Sequence, residues 1–258
     1  MAYETVIVEQ DDHVGTITLN RPKQLNTFDT SLATDLRQAL REVDSDQKVR
    51  VVILKGAGKV FCAGIDLRFF QDKTAFEYRT LVELMENPLV EISRMRKPVI
   101  AQVHGVAAAN GAGLVAAADL AVASDDARLG LTAINVGLNC IGPVVPVSRS
   151  VGRKRALELL YFGELIQAQE ALAMGLVNRV VPTADLEEET RKWAEKLAKK
   201  SPIATQISKK AFYAAADLDF YKAFEYMNEA FARLCTAEDA QEGIKSFFEK
   251  RDPVWKER

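Results

Sequence analysis

An α/β body followed by an all-helical tail is the fold class that the sequence predicts, and three observations predict it. Short apolar runs at 49–54, 99–103 and 120–123 read as buried strands. Stretches with apolar residues three and four apart lie between them, as in strand–helix alternation. Beyond Pro182 the strand-like runs stop and helical spacing alone continues to the C-terminal region.

The elements follow in order. Residues 3–10 alternate apolar and polar and, with 15–19 after Asp11-Asp12, read as two paired strands stopped by Asn20-Arg21-Pro22. Asp29-Thr30-Ser31 caps a helix over 32–43, whose Leu32, Leu36, Ala39, Leu40 and Val43 share one face. The buried run 49–54 ends at Gly56-Ala57-Gly58, and a small-residue loop at 61–66 leads into a charged helical region reaching about Met95. Pro98 opens the strand 99–103, closed by His104-Gly105. The small-residue tract 106–118 predicts one tightly packed helix, followed by a strand at 120–123 and a further short one at 129–131. Residues 137–146 read as a Gly/Pro-punctuated loop, 152–160 and 168–174 as helices, and 176–181 as a strand closed by Pro182. The tail begins with a helix over 184–200, breaks at Ser201-Pro202, and continues as two or three helices carrying Phe224, Met227, Phe231 and Leu234. Such an apolar face folds back on the body or docks on another subunit.

Composition narrows the function. The 258 residues carry 34 Lys and Arg against 36 Asp and Glu, a net charge of −2, which disfavours a phosphate-tracking nucleic-acid binder and polybasic membrane attachment. With only His13 and His104, a three-imidazole metal site is excluded and none is expected. His104 reads as a packed structural residue, and His13 as exposed in a turn. Cys62, Cys140 and Cys235 form neither a CxxC motif nor a disulfide framework, which suits a reducing compartment and a cytoplasmic setting. Cys62 and Cys235 read as packing residues. Cys140, in a loop beside Asn139, keeps a possible reactive role. No signal peptide and no long apolar span is read. Carboxylates are the abundant acid–base groups.

Two segments could carry chemistry. Each runs from a strand into small residues and then toward a helix: Phe61-Cys62-Ala63-Gly64-Ile65-Asp66, and Ala109-Asn110-Gly111-Ala112-Gly113. Small residues let a ligand approach the main chain, and two N–H groups aimed at one point would make an oxyanion hole. Close packing without a ligand is the alternative. Gly111 to Ala116 also fits GxGxxA, but residues 105–110 separate it from its strand and the acid due about 20 residues later is misplaced. No GxSxG and no GxxxxGK[ST] occurs.

The segments GTITLNRPKQLNTF, VVILKGAGKVFCAGIDL, PVIAQVHGVAAANGAGLVAAADLAVAS, QAQEALAMGLVNRVVP and QEGIKSFFEKRDPVW, in this order, resemble the crotonase (enoyl-CoA hydratase/isomerase) superfamily over essentially the whole chain. The resemblance implies a spiral of repeated ββα units over 1–195 with a coenzyme A thioester site, and a helical trimerisation region over 196–258. It implies homotrimers or dimers of trimers, an acyl-CoA ligand of fatty acid metabolism, and no cofactor beyond the coenzyme A of the substrate.

By the same resemblance the thioester oxygen accepts from the N–H groups of Ile65 and Asn110. Asn110 stands where the family often has Gly, and Asn suits the unusual φ expected there. Coenzyme A contacts fall to Lys23, Gln24, Leu25, Ala63, Asp66 and Leu67, and to Phe247 and Lys250, often from a neighbouring subunit. The two glutamates of the family's hydratases are replaced by Gly113 and Ala133, so ordinary two-glutamate hydration is not expected. Asn139 and Cys140, in the loop bordering the acyl pocket of relatives, and Glu83 and Glu86, after the first loop, are further polar candidates. The expectation is an acyl-CoA-processing lyase or isomerase. The alternatives are an acyl-CoA binder without turnover and, remotely, a dinucleotide-linked protein.

Overall fold

A computed structural model describes residues 3–258. Its larger sheet has six strands in the order β1 (Val6–Asp11), β2 (Val14–Leu19), β3 (Val51–Gly56), β4 (Val99–Val103), β6 (Leu120–Ser124) and β9 (Arg179–Val181). A three-stranded sheet joins β5 (Val106–Ala108), β7 (Arg128–Gly130) and β8 (Ile166–Gln167). The helices are α1 (Thr30–Ser45), α2 (Ala75–Arg94), α3 (Asn110–Ala117), α4 (Val144–Val151), α5 (Arg153–Phe162), α6 (Ala168–Met174), α7 (Leu186–Ala198), α8 (Pro202–Ala215), α9 (Phe220–Cys235) and α10 (Glu238–Glu249).

Strand β1 pairs antiparallel with β2, and β2, β3, β4, β6 and β9 run parallel. The central strands β3, β4 and β6 are largely buried on both faces, hence their apolar runs. In β3 the alternation of side chains sends Val52 and Leu54 into the main core with Leu32, Leu36 and Leu40 of α1. It sends Val51 and Ile53 to the opposite face, where Leu186, Ala194 and Ala198 of α7 cover them. Asp29 accepts from the Leu32 N–H at 2.8 Å and caps α1 as the sequence predicts.

Three local readings change. Residues 106–108 are not the start of a helix but the strand β5, paired with β7, and α3 begins only at Asn110. Small residues carry no period, so the tract could not reveal its own division; neighbours define it. The expected loop 137–146 contains the start of α4, since Pro143 caps the helix that Val144 opens. Cys235 is exposed rather than packed.

The tail has three helices after Ser201, whose hydroxyl caps α8. The 195/196 boundary falls inside α7, which packs on the sheet and continues to Ala198. A buried polar joint ties α8 to the body: Lys209 Nζ lies 2.7 Å from Asp119 Oδ2 and 2.9 Å from the Lys97 carbonyl, and Tyr213 donates to Asp119 Oδ1 at 3.0 Å. Helix α9 buries none of its residues, and Phe220, Tyr221, Phe224 and Phe231 are exposed. No helix among the described residues is long and apolar enough to cross a membrane.

Candidate functional site

The first small-residue segment follows the C-terminal end of β3. The second follows β5, the short strand that continues from the C-terminal end of the neighbouring parallel strand β4. Open α/β sheets leave room for ligands at those ends. The main chain stitches them together: the Cys62 N–H donates to the Val106 carbonyl at 3.1 Å, and the Ala108 N–H donates to the Cys62 carbonyl at 2.9 Å. Glycine permits the approach. A Cβ at Gly111 would overlap the Cys62 carbonyl oxygen, and Gly64, at φ +110°, lies against the Ala109 methyl.

Two amides emerge from this junction. Phe28 donates to the Gly64 carbonyl at 2.8 Å and accepts from the Asp66 N–H at 2.9 Å. Extended backbone alternates direction, so the Ile65 N–H between those two bonds points away from Phe28. Asn110 is the first residue of α3, and its N–H has no carbonyl within the helix to bond. The unusual backbone angle lies one residue earlier than expected, at Ala109 with φ +48°. Bonds from the Ala109 N–H to Gly130 O (2.8 Å) and from the Gly113 N–H to Ala109 O (2.9 Å) hold it there. Asn110 itself is helical.

Ile65 and Asn110 line one cavity of about 750 Å³, within the usual size for a small-molecule site. Ala63 and Leu67 flank it at the first loop. Opposite stand Ala133, Asn139 and Cys140, and Phe70, Tyr78 and Val82 add apolar wall. The cavity is therefore a mostly apolar chamber bordered by the two small-residue segments.

The other predicted residues distribute unevenly. Lys23, Gln24 and Leu25 are exposed in a 3-10 turn beside the first loop, tied to it by the Ala63 N–H donating to the Leu25 carbonyl at 3.0 Å. Asp66 is buried behind the loop and held by Arg68, whose Nε lies 2.9 Å from Oδ1. Hydrogen bonding from the Arg68 side chain keeps its carboxyl below the usual carboxylate range. Phe247 and Lys250 are not brought to the cavity: Phe247 lines a separate hollow with Ser201, Ile244 and Trp255, and Lys250 caps the C-terminal end of α10.

The thiols are poor nucleophiles here. Burial pushes Cys62 up to about 12 and raises Cys140 as well. Asn139 spends its side-chain oxygen on the Cys140 N–H at 2.8 Å. His104 is half-buried with Nε2 3.0 Å from the Gly58 carbonyl, a structural contact. The GxGxxA glycines lie inside buried α3, where Gly111 packs on Cys62 and Gly113 on Leu89 and Pro143. That packing leaves no room for a pyrophosphate against this backbone.

The two positions where the resemblance expects carboxylates differ in kind. At Gly113 a Cβ would already lie 2.8 Å from Leu89 Cδ2 and 3.0 Å from Pro143 Cβ, so a longer side chain requires both neighbours to shift. Ala133 is half-buried on the cavity wall. Of the two α2 glutamates, Glu83 is exposed, whereas Glu86 lines the cavity and burial raises its carboxyl above the ordinary glutamate value. The sequence offered both, and three residues' difference on one helix gave no means of choosing.

The enoyl-CoA hydratase/isomerase family profile matches residues 9–258. The human protein named enoyl-CoA hydratase domain-containing protein 3, mitochondrial, is 38% identical over 248 residues, covering 95% of this chain and 82% of the relative. A crystal structure of that human protein superposes with a TM-score of 0.94 at 36% identity, covering 98% of this chain and 100% of the other. An enoyl-CoA hydratase crystal structure from Mycobacterium smegmatis gives a TM-score of 0.95 at 38% identity, covering 98% and 99%.

Proposed function

Because the chain belongs to the enoyl-CoA hydratase/isomerase family, we propose that it processes acyl-CoA or enoyl-CoA thioesters, holding the thioester oxygen between the N–H groups of Ile65 and Asn110. The observation that supports this reading is that Ile65 and Asn110, from two loops stitched together by main-chain bonds, line one mostly apolar cavity. Charge grows on that oxygen as an enolate forms, so the two donors act more strongly on the transition state than on the thioester. The acyl chain occupies the chamber beyond Ile65. The coenzyme A portion runs past Ala63, Asp66 and Leu67 toward Lys23, Gln24 and Leu25 on the outer turn. Lys23 is a point charge suited to a phosphate. The reading needs no cofactor beyond the coenzyme A that the substrate carries.

Phe247 and Lys250 enter this scheme from a neighbouring subunit. The exposed aromatic face of α9 supports self-association as a trimer or a pair of trimers. The free thiols of Cys62 and Cys140 suit a reducing cytoplasmic setting.

Ordinary two-glutamate hydration is outside the proposal, since Gly113 and Ala133 offer no carboxylate. The same substitutions favour a second reading, an acyl-CoA binder without turnover. Calorimetry with crotonyl-CoA, followed by a hydration assay on the same preparation, tests the reading. Binding with little hydration is expected. Hydration on the order of 10 s⁻¹ or above would show that the two acids are dispensable. Absence of binding by coenzyme A and its thioesters alike would overturn both readings.

A further inference from the structure

We propose that Glu86 is the proton-transferring group of this site and that it acts alone, moving a proton on and off the acyl carbon next to the thioester. This rests on the thioester reading above and names the residue and reaction class within it.

Four observations converge on Glu86. Its side chain lines the cavity that holds the Ile65 and Asn110 amides. It lies directly over Gly142, where any Cβ would overlap the carboxylate. The glycine thus leaves the space that the carboxylate fills, and the inward course of the side chain is built into the loop before α4. Among the described residues no hydrogen bond or ion pair engages the carboxylate, although Arg79 lines the same cavity two turns earlier on α2. Finally, the Asn110 side chain donates to the Met85 carbonyl at 3.3 Å. The residue that offers one oxyanion donor therefore also fixes the turn of α2 that carries Glu86.

A carboxylate that is half-buried and unpaired is a better base than an exposed one, because burial disfavours its charged form. In the step assigned to it, a Glu86 oxygen takes a proton from the carbon next to the thioester carbonyl. The C–H electron pair becomes the carbon–carbon double bond of an enolate, and the carbonyl π pair moves onto oxygen, where Ile65 and Asn110 hold it. Returning the proton to the same carbon restores the thioester. With a β,γ-unsaturated chain, returning it to the γ-carbon shifts the double bond to α,β. No water is consumed and no oxidant is needed. One carboxylate suffices for both outcomes, in contrast to hydration.

The test uses the full-length protein with butyryl-CoA and trans-3-hexenoyl-CoA in D2O, read by mass spectrometry and NMR, with binding measured separately by calorimetry. Wild type is expected to introduce deuterium at the α-carbon and to shift the double bond. Glu86→Gln is expected to slow both by about 100-fold or more while binding within about 3-fold of wild type. Glu86→Asp, which keeps the charge but draws it back, retains part of the rate. Glu83→Gln exchanges like wild type. Exchange by Glu86→Gln at the wild-type rate overturns the assignment and leaves the thioester reading standing. Binding by wild type without any exchange overturns the assignment in favour of the binding-only reading. No binding at all removes the reading on which it rests.

Discussion

The first loop and the α2 wall hold their carboxylates in opposite ways. At the first loop, Asp66 is buried but clasped by Arg68, which stabilises its charge and takes it out of proton exchange near neutrality. At the α2 wall, Glu86 is half-buried with no cation on it, and burial raises it. Both are acids beside one ligand site. The difference shows that a nearby partner can outweigh burial in setting the direction in which an acid shifts.

The largest disturbance of this contrast is to force a carboxylate onto α3. Gly113→Glu would put a charged chain into the contact with Leu89 and Pro143 and is expected to cost about 3 kcal/mol or more, seen as a large fall in Tm. Ala133→Glu, on the cavity wall, is expected to change stability by only about 1 kcal/mol. Equal falls in Tm would contradict the difference in space at the two positions.

A smaller effect comes from Gly142→Ala. Its backbone is not in the left-handed region, so the methyl acts chiefly by displacing the Glu86 carboxylate. Proton exchange should fall by about 10- to 100-fold with thioester affinity nearly unchanged, since a shift of about 1 Å is enough for such losses. An unchanged exchange rate would separate Glu86 from the reaction.

Least drastic is acidification. Glu86 must be ionised to act as a base, and its value is raised, so exchange should decline with falling pH before ordinary glutamates protonate. Asp66 has the opposite sign. Its folded value is lowered, so the stability it contributes is present above the ordinary aspartate range and is lost only as pH falls through that lower value. Circular dichroism alongside exchange should therefore show activity failing first, with the fold intact. Simultaneous loss of both would remove the distinction between the two acids.

Much of this was legible in the chain. Apolar periodicity located β2, α1, β4, β6 and α6 because their burial patterns are local consequences of strand and helix repeat. The two small-residue segments marked the junction that presents Ile65 and Asn110. The resemblance identified the family. The division of 106–118 into β5 and α3, and the start of α4 after Pro143, were not legible: alanine and glycine runs carry no period, and pairing with β7 and packing against α3 decide them.

By itself, then, the sequence determined the strand–helix order and the two small-residue segments, because each is a property of residues close along the chain. Only the tertiary structure decided which of the two α2 acids faces the cavity. Glu83 and Glu86 lie on adjacent turns of one amphipathic helix, and which of them meets the ligand depends on how α2 lies against Gly142 and Asn110. Those residues are far away in sequence. Local pattern sets what a segment is; the long-range approach of another segment sets what its side chains face.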